Sequence, residues 1–148
     1  MEASLDDSLT PESPVSGTLY SERNRNFFQE KRVWVVNLLG TPGAGKTSIL
    51  EGIFPYLEDK VKSAVILGDF ATAKDAQRIA DCNVPAVQIN SQNGSSLDAE
   101  MIAKVLGMFD WAEIDLLFIE NIGSLCLPQQ LDLGEDMKMV VISVPEGE

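Results

Sequence analysis

Val33-Trp34-Val35-Val36-Asn37-Leu38-Leu39-Gly40-Thr41-Pro42-Gly43-Ala44-Gly45-Lys46-Thr47-Ser48-Ile49-Leu50 is the stretch on which the fold turns. Residues 33–39 form a β-branched, apolar run broken only by Asn37, which suits a buried strand. The segment from Gly40 to Thr47 then fits the pattern G-x-x-x-x-G-K-[ST]. Its context is correct, because apolar residues follow at helical spacing at Ile49, Leu50, Ile53, Phe54 and Leu57. Glycines let the backbone curl so that successive N–H groups point at phosphate oxygens, and the helix N-terminus adds its dipole. Gly40, Thr41, Pro42, Gly43, Ala44 and Gly45 therefore read as a phosphate cradle. In that cradle Lys46 would bridge the β- and γ-phosphates, Thr47 would offer its hydroxyl to Mg²⁺, and Ser48 would reach an α-phosphate oxygen.

Working outward, Pro55 is expected to kink or end the helix. Further strands are expected at residues 64–67, 86–89, 116–119 and 140–144. Helices are expected at 24–31, 74–79 and 98–109, the last capped by Ser95 with Asp98 at a three-residue offset. Strands alternating with helices predict a three-layer α/β domain around a mainly parallel sheet. Residues 1–22 read as a flexible acidic and polar tail, with the domain at 23–148.

A phosphoryl-transfer site also needs carboxylates for magnesium and its waters. Asp69 directly follows one expected strand and Glu120 ends another, and the carboxyl ends of parallel strands converge on a ligand crevice. Gly123 would let a backbone N–H approach the γ-phosphate. Lys46, Asp69 and Glu120 are thus the candidate catalytic residues, with Thr47, Asp69 and Glu120 around Mg²⁺.

The net charge of −12 over 148 residues repels phosphate backbones and anionic lipid, which argues against nucleic acid and membrane partners. The N-terminus lacks the basic-then-apolar order of a secretory signal, and no apolar run is long enough to span a bilayer, so a soluble, cytoplasmic protein is expected. The two cysteines, Cys82 and Cys126, fit no disulfide framework, and the chain has no histidine.

From residue 24 to 148 the chain resembles the HypB GTPases, which help insert nickel into hydrogenases. The likeness rests on Asn24-Arg25-x-Phe27-Phe28, Asn37-Leu38, the phosphate loop, Gly68-Asp69 with Thr72 and Asp75-Ala76, and Gln88-Ile89-Asn90. It continues in Leu97-Asp98-Ala99, Glu120-Asn121-Ile122-Gly123, Asp132-Leu133-Gly134-Glu135 and Val144-Pro145-Glu146-Gly147-Glu148. The resemblance implies a SIMIBI-type GTPase using GTP and Mg²⁺, whose nucleotide state controls homodimerisation and metal handover to a hydrogenase-maturation partner. Nickel or zinc would enter only through that resemblance. The family's Cys-His metal pair is here Ser95-Ser96, and its later cysteine position holds Leu127, leaving Cys126 as a weak candidate ligand. The guanine-reading Asn-Lys-x-Asp motif is not found after Val144, so the domain reads as incomplete at its C-terminal end, a fragment or a diverged homologue. The alternatives are a non-catalytic interaction or dimerisation module, or a GTPase like those of urease maturation. A small-molecule kinase ranks last, since only 11 basic residues are available for a substrate lid.

Overall fold

The computed structural model describes residues 14–68, 71–90, 96–122 and 132–144. In chain order they form α1 (Pro14–Lys31), β1 (Trp34–Gly40), α2 (Lys46–Leu57), β2 (Ser63–Leu67), α3 (Ala73–Ala80), β3 (Ala86–Gln88), α4 (Ala99–Val105), β4 (Leu116–Ile122) and β5 (Met137–Val140). Single 3-10 turns occupy Leu106–Met108 and Trp111–Glu113. The strands lie in the order β3-β2-β4-β1-β5, and every pair is parallel.

The period of two along each strand sorts side chains onto two faces. Val35, Ala64, Ile66, Leu117 and Ile119 pack with Phe28 of α1 and Ile102 of α4. Val36, Leu38, Val65, Leu67 and Phe118 pack with Leu50 and Phe54 of α2 and Ile79 of α3. Both faces of the sheet are therefore covered, giving the three-layer α/β architecture that the alternating pattern implies. Phe27 and Phe28 meet Trp111 edge-on, at centroid separations of 5.3 and 5.8 Å.

The structure decides four local expectations, three of them by correction. The first helix does not start at residue 24 but at Pro14, so residues 14–22 are helical rather than part of a tail. Two of its inward positions are the polar Ser21 and Asn24, both buried, which leaves no hydrophobic period to read. Asn24 Nδ2 instead donates to the carbonyls of Ala99 (2.8 Å) and Leu133 (3.1 Å). Pro55 lies in the last turn of α2, which ends two residues later at Leu57, in line with a proline that ends the helix. The α4 cap is Asp98, whose carboxylate accepts from Met101 N at 2.8 Å; Ser95 lies outside the described residues.

The last strand is the fourth case. It occupies Met137–Val140 and not residues 140–144. Pairing, not apolar content, decides this: the Asp136 N–H donates to Val35 O (2.9 Å) while its carboxylate accepts from Val35 N (2.8 Å). That double contact sets Met137 beside Val36 and Val140 beside Leu39. Beyond it Val141 is buried, whereas Ile142 and Val144 are exposed.

The Asp132-Leu133-Gly134-Glu135 block is a structural clamp. Arg25 and Asp132 form a two-pronged ion pair at 2.7 and 2.9 Å. The Glu135 carboxylate accepts from Leu133 N (2.7 Å) and from the buried Asn37 amide (3.2 Å). One short loop thereby ties α1 to β1.

Candidate functional site

β1 ends at Gly40 and α2 begins at Lys46, so residues 41–45 must reverse the chain in one tight loop. Gly43 and Gly45 do this with φ of 83° and 103°, a region costly for any residue with a Cβ. Ala44 N donates to Thr41 O (3.1 Å) across the turn. Lys46, Thr47 and Ser48 then occupy the first turn of α2. The Lys46 Nζ donates to the carbonyls of Gly40 (2.7 Å) and Thr41 (3.0 Å), curling its ammonium back over the loop. It is only 7% exposed, and a buried ammonium there is costly unless anionic partners arrive.

Glu120 is not the end of its strand, since β4 continues to Ile122. It lies two residues beyond Phe118 and so faces α2 and α3. There its two carboxylate oxygens accept from Thr47 Oγ1 at 2.9 and 3.1 Å. Asn121, the next residue, faces the other way and accepts from Leu97 N (2.9 Å). The loop, Thr47, Glu120, Gly68, Asp75 and Arg78 enclose about 270 Å³, room for a phosphate chain and a cation rather than a whole nucleotide.

Of the residues singled out in the sequence, Pro42, Gly43, Gly45, Lys46, Thr47, Ser48 and Glu120 line this one pocket. Asp69, Gly123 and Cys126 lie outside the described residues. Asp75, noted in the sequence only within the Asp75-Ala76 block, and Arg78, not singled out there, also line this pocket. α3 starts with a capping box: Thr72 Oγ1 accepts from Asp75 N (3.1 Å), and the Asp75 carboxylate accepts from Thr72 N (3.0 Å). That box sets Asp75 at the pocket, and Arg78, three residues on, shares its helix face. Arg78 Nη2 donates to Ser48 Oγ (3.1 Å) and pairs with Glu51. The threefold spacing after a strand end was the available signal.

Burial pushes the Glu120 carboxyl above its ordinary range, against the opposing pull of the Thr47 hydroxyl and Lys46. A folded-state pKa raised over the unfolded one means that the native form holds more protons between the two values. The Glu120 contribution to stability is then fully present below the ordinary glutamate range near 4.5 and is lost as pH rises through the folded pKa, opposite in sign to the contributions of Asp75 and Asp132, whose carboxyls are held below their ordinary range. Denaturant titrations from pH 4 upward (roughly the unfolded glutamate value) should show this decline in the parent protein and lose it in Glu120→Gln. Parallel curves for the two proteins would refute the assignment.

The family model for the CobW/HypB/UreG nucleotide-binding domain matches residues 34–145. The chain belongs to the CobW/HypB/UreG family. It is 44% identical over 128 residues to the hydrogenase maturation factor HypB of Escherichia coli K12 and 46% identical over 129 residues to that of Azotobacter vinelandii. Those matches cover 86% and 87% of this chain but only 44% and 43% of the relatives, so the chain spans less than half their length. Among solved structures, HypB from Archaeoglobus fulgidus superposes with a TM-score of 0.80 at 33% identity, covering 89% of this chain and 64% of the other. HypB from Helicobacter pylori, solved in complex with nickel, superposes at 0.78 with 30% identity, covering 88% and 62%. A family member thus carries its nucleotide-binding domain on the fold described above. No helix among the described residues is long and apolar enough to cross a membrane.

Proposed function

We propose that this chain binds GTP with Mg²⁺ and hydrolyses it slowly, as the nucleotide-driven part of a factor that delivers nickel to a hydrogenase. The observation that carries the reading is the convergence of Lys46, Thr47 and Glu120 at the mouth of a loop of backbone N–H donors. The maturation role is supported by the names of the HypB relatives.

The loop N–H groups and the α2 N-terminus would hold the triphosphate, and Lys46 would swing from the Gly40 and Thr41 carbonyls to the β- and γ-phosphates. Ser48 would meet an α-phosphate oxygen. The Thr47 hydroxyl and Glu120 carboxylate are adjacent hard oxygen donors, with the Asp75 carboxylate in the same pocket, and this donor set fits Mg²⁺. Bound there, Mg²⁺ would neutralise phosphate charge. Asp69 and Gly123 follow the described residues Gly68 and Ile122, and we assign them to the metal's waters and to a γ-phosphate contact.

Nickel is cargo in this reading. Hydroxyls at Ser95 and Ser96 in place of thiolate and imidazole make this chain a weak nickel or zinc binder, with Cys126 the candidate ligand. Homodimerisation and contact with a maturation partner are part of the same proposal.

Fluorescent GTP and ATP analogues titrated at millimolar Mg²⁺ test it. Because the enclosed volume suits phosphates, inorganic tripolyphosphate should displace bound GTP with an affinity within about tenfold of GTP itself. Absence of binding by either nucleotide sinks the reading.

A further inference from the structure

A second cavity, of about 520 Å³, opens at the other end of the sheet, between the C-terminal turns of α2 and α3. Phe54, Leu57, Val61 and Val84 give it apolar walls. Its charge is one-sided, with Glu51, Glu58, Asp81 and Glu113 set against Lys62. Lys62 is already paired with Glu113 at 2.6 Å, and Glu51 is held by Arg78. Asp81 accepts from the neutral Gln77 amide at 2.8 Å, and Glu58 has no ion-pair partner among the described residues.

Two helix carbonyl ends add partial negative charge at the same place. α2 has no basic residue in its last turn, and the one in α3, Arg78, is drawn toward Glu51 and Ser48. Low-dielectric walls focus such a field.

We propose that this cavity binds a small organic cation, an amine or guanidinium on an apolar body, and that its occupancy is felt in the phosphate pocket through Glu51. Glu51 lines this cavity, while its partner Arg78 lines the phosphate pocket beside Ser48. A cation in the cavity competes for Glu51 and releases Arg78 toward the phosphates. This second part rests on the nucleotide reading above; the binding site itself does not.

Phenylbutylamine titrated into the isotope-labelled full chain should give saturable amide shifts confined to the cavity wall (residues 51–63, 81–85 and 113) and to Ser48 and residues 75–78 on the Glu51–Arg78 link, whereas phenylbutyrate should give none. Joint replacement Glu58→Gln and Asp81→Asn should weaken the amine by about tenfold, with an otherwise unchanged spectrum showing that the fold survives. Equal binding of the carboxylate, shifts elsewhere, or undiminished affinity in the double variant would each overturn the site. Saturating amine should also change the affinity for a fluorescent guanine nucleotide by about threefold, and Glu51→Gln should remove that change. An unaltered nucleotide affinity rules out the Glu51 link. Localised amine shifts in a chain that ignores nucleotide support the cavity and sink the nucleotide reading instead.

Discussion

Lys46→Ala should lower the affinity for fluorescent GTP by about 100-fold or more, since one charge-assisted contact to phosphate contributes about 3 kcal/mol. The ammonium is buried at the head of α2, and the protein carbonyls of Gly40 and Thr41 are its hydrogen-bond acceptors. Triphosphate oxygens are better partners for a desolvated cation than neutral carbonyls, so bound triphosphate would draw the ammonium off the loop carbonyls. Lys46→Arg should not rescue binding, because a planar guanidinium cannot follow the path of a compact ammonium inside so close a loop. Binding that survives Lys46→Ala would show that the triphosphate is held elsewhere.

The largest stability effect is expected at Gly134. Its φ is 90°, and an added Cβ would stand 2.7 Å from both Arg25 N and Ser21 O, and 2.8 Å from the Asn24 Cβ. Two of those three neighbours are helix backbone, which cannot turn aside. Gly134→Ala therefore combines the cost of a left-handed conformation with overpacking against α1, together about 3 kcal/mol. Urea titration should show the loss as a lower midpoint. Gly52→Ala is the control: it lies inside α2, where a new Cβ meets nothing within 4 Å, and it should gain about 0.5–1 kcal/mol from helix propensity. A loss below about 1 kcal/mol at Gly134 would mean that the 132–136 loop does not clamp α1 as described.

The two positions also show what kind of information a sequence carries. The phosphate loop is legible because its chemistry is contiguous: two glycines, a lysine and a threonine act within eight residues between a strand and a helix. Glu120 was legible for a related reason, since an acid on an apolar run near a strand's carboxyl end has few structural duties. Arg78 was not, because its place in the pocket depends on how α3 packs beside α2. The start of α1 was hidden as well, because the buried Ser21 bonds back to Thr18 O within the helix while Asn24 reaches the distant carbonyls of Ala99 and Leu133, and neither leaves an apolar period.

The sequence alone determined the layered α/β architecture and the glycine-rich turn from Gly40 to Thr47 between β1 and α2. These follow from local periodicity and from residues whose chemistry is set by their neighbours in the chain. Only the tertiary structure decided the register of β5 through Asp136, the clamp of Gly134 on α1, and the bridge from Glu51 through Arg78 to Ser48. Each of those depends on groups far apart in the chain meeting within hydrogen-bond or van der Waals range, a distance that no one-dimensional pattern encodes.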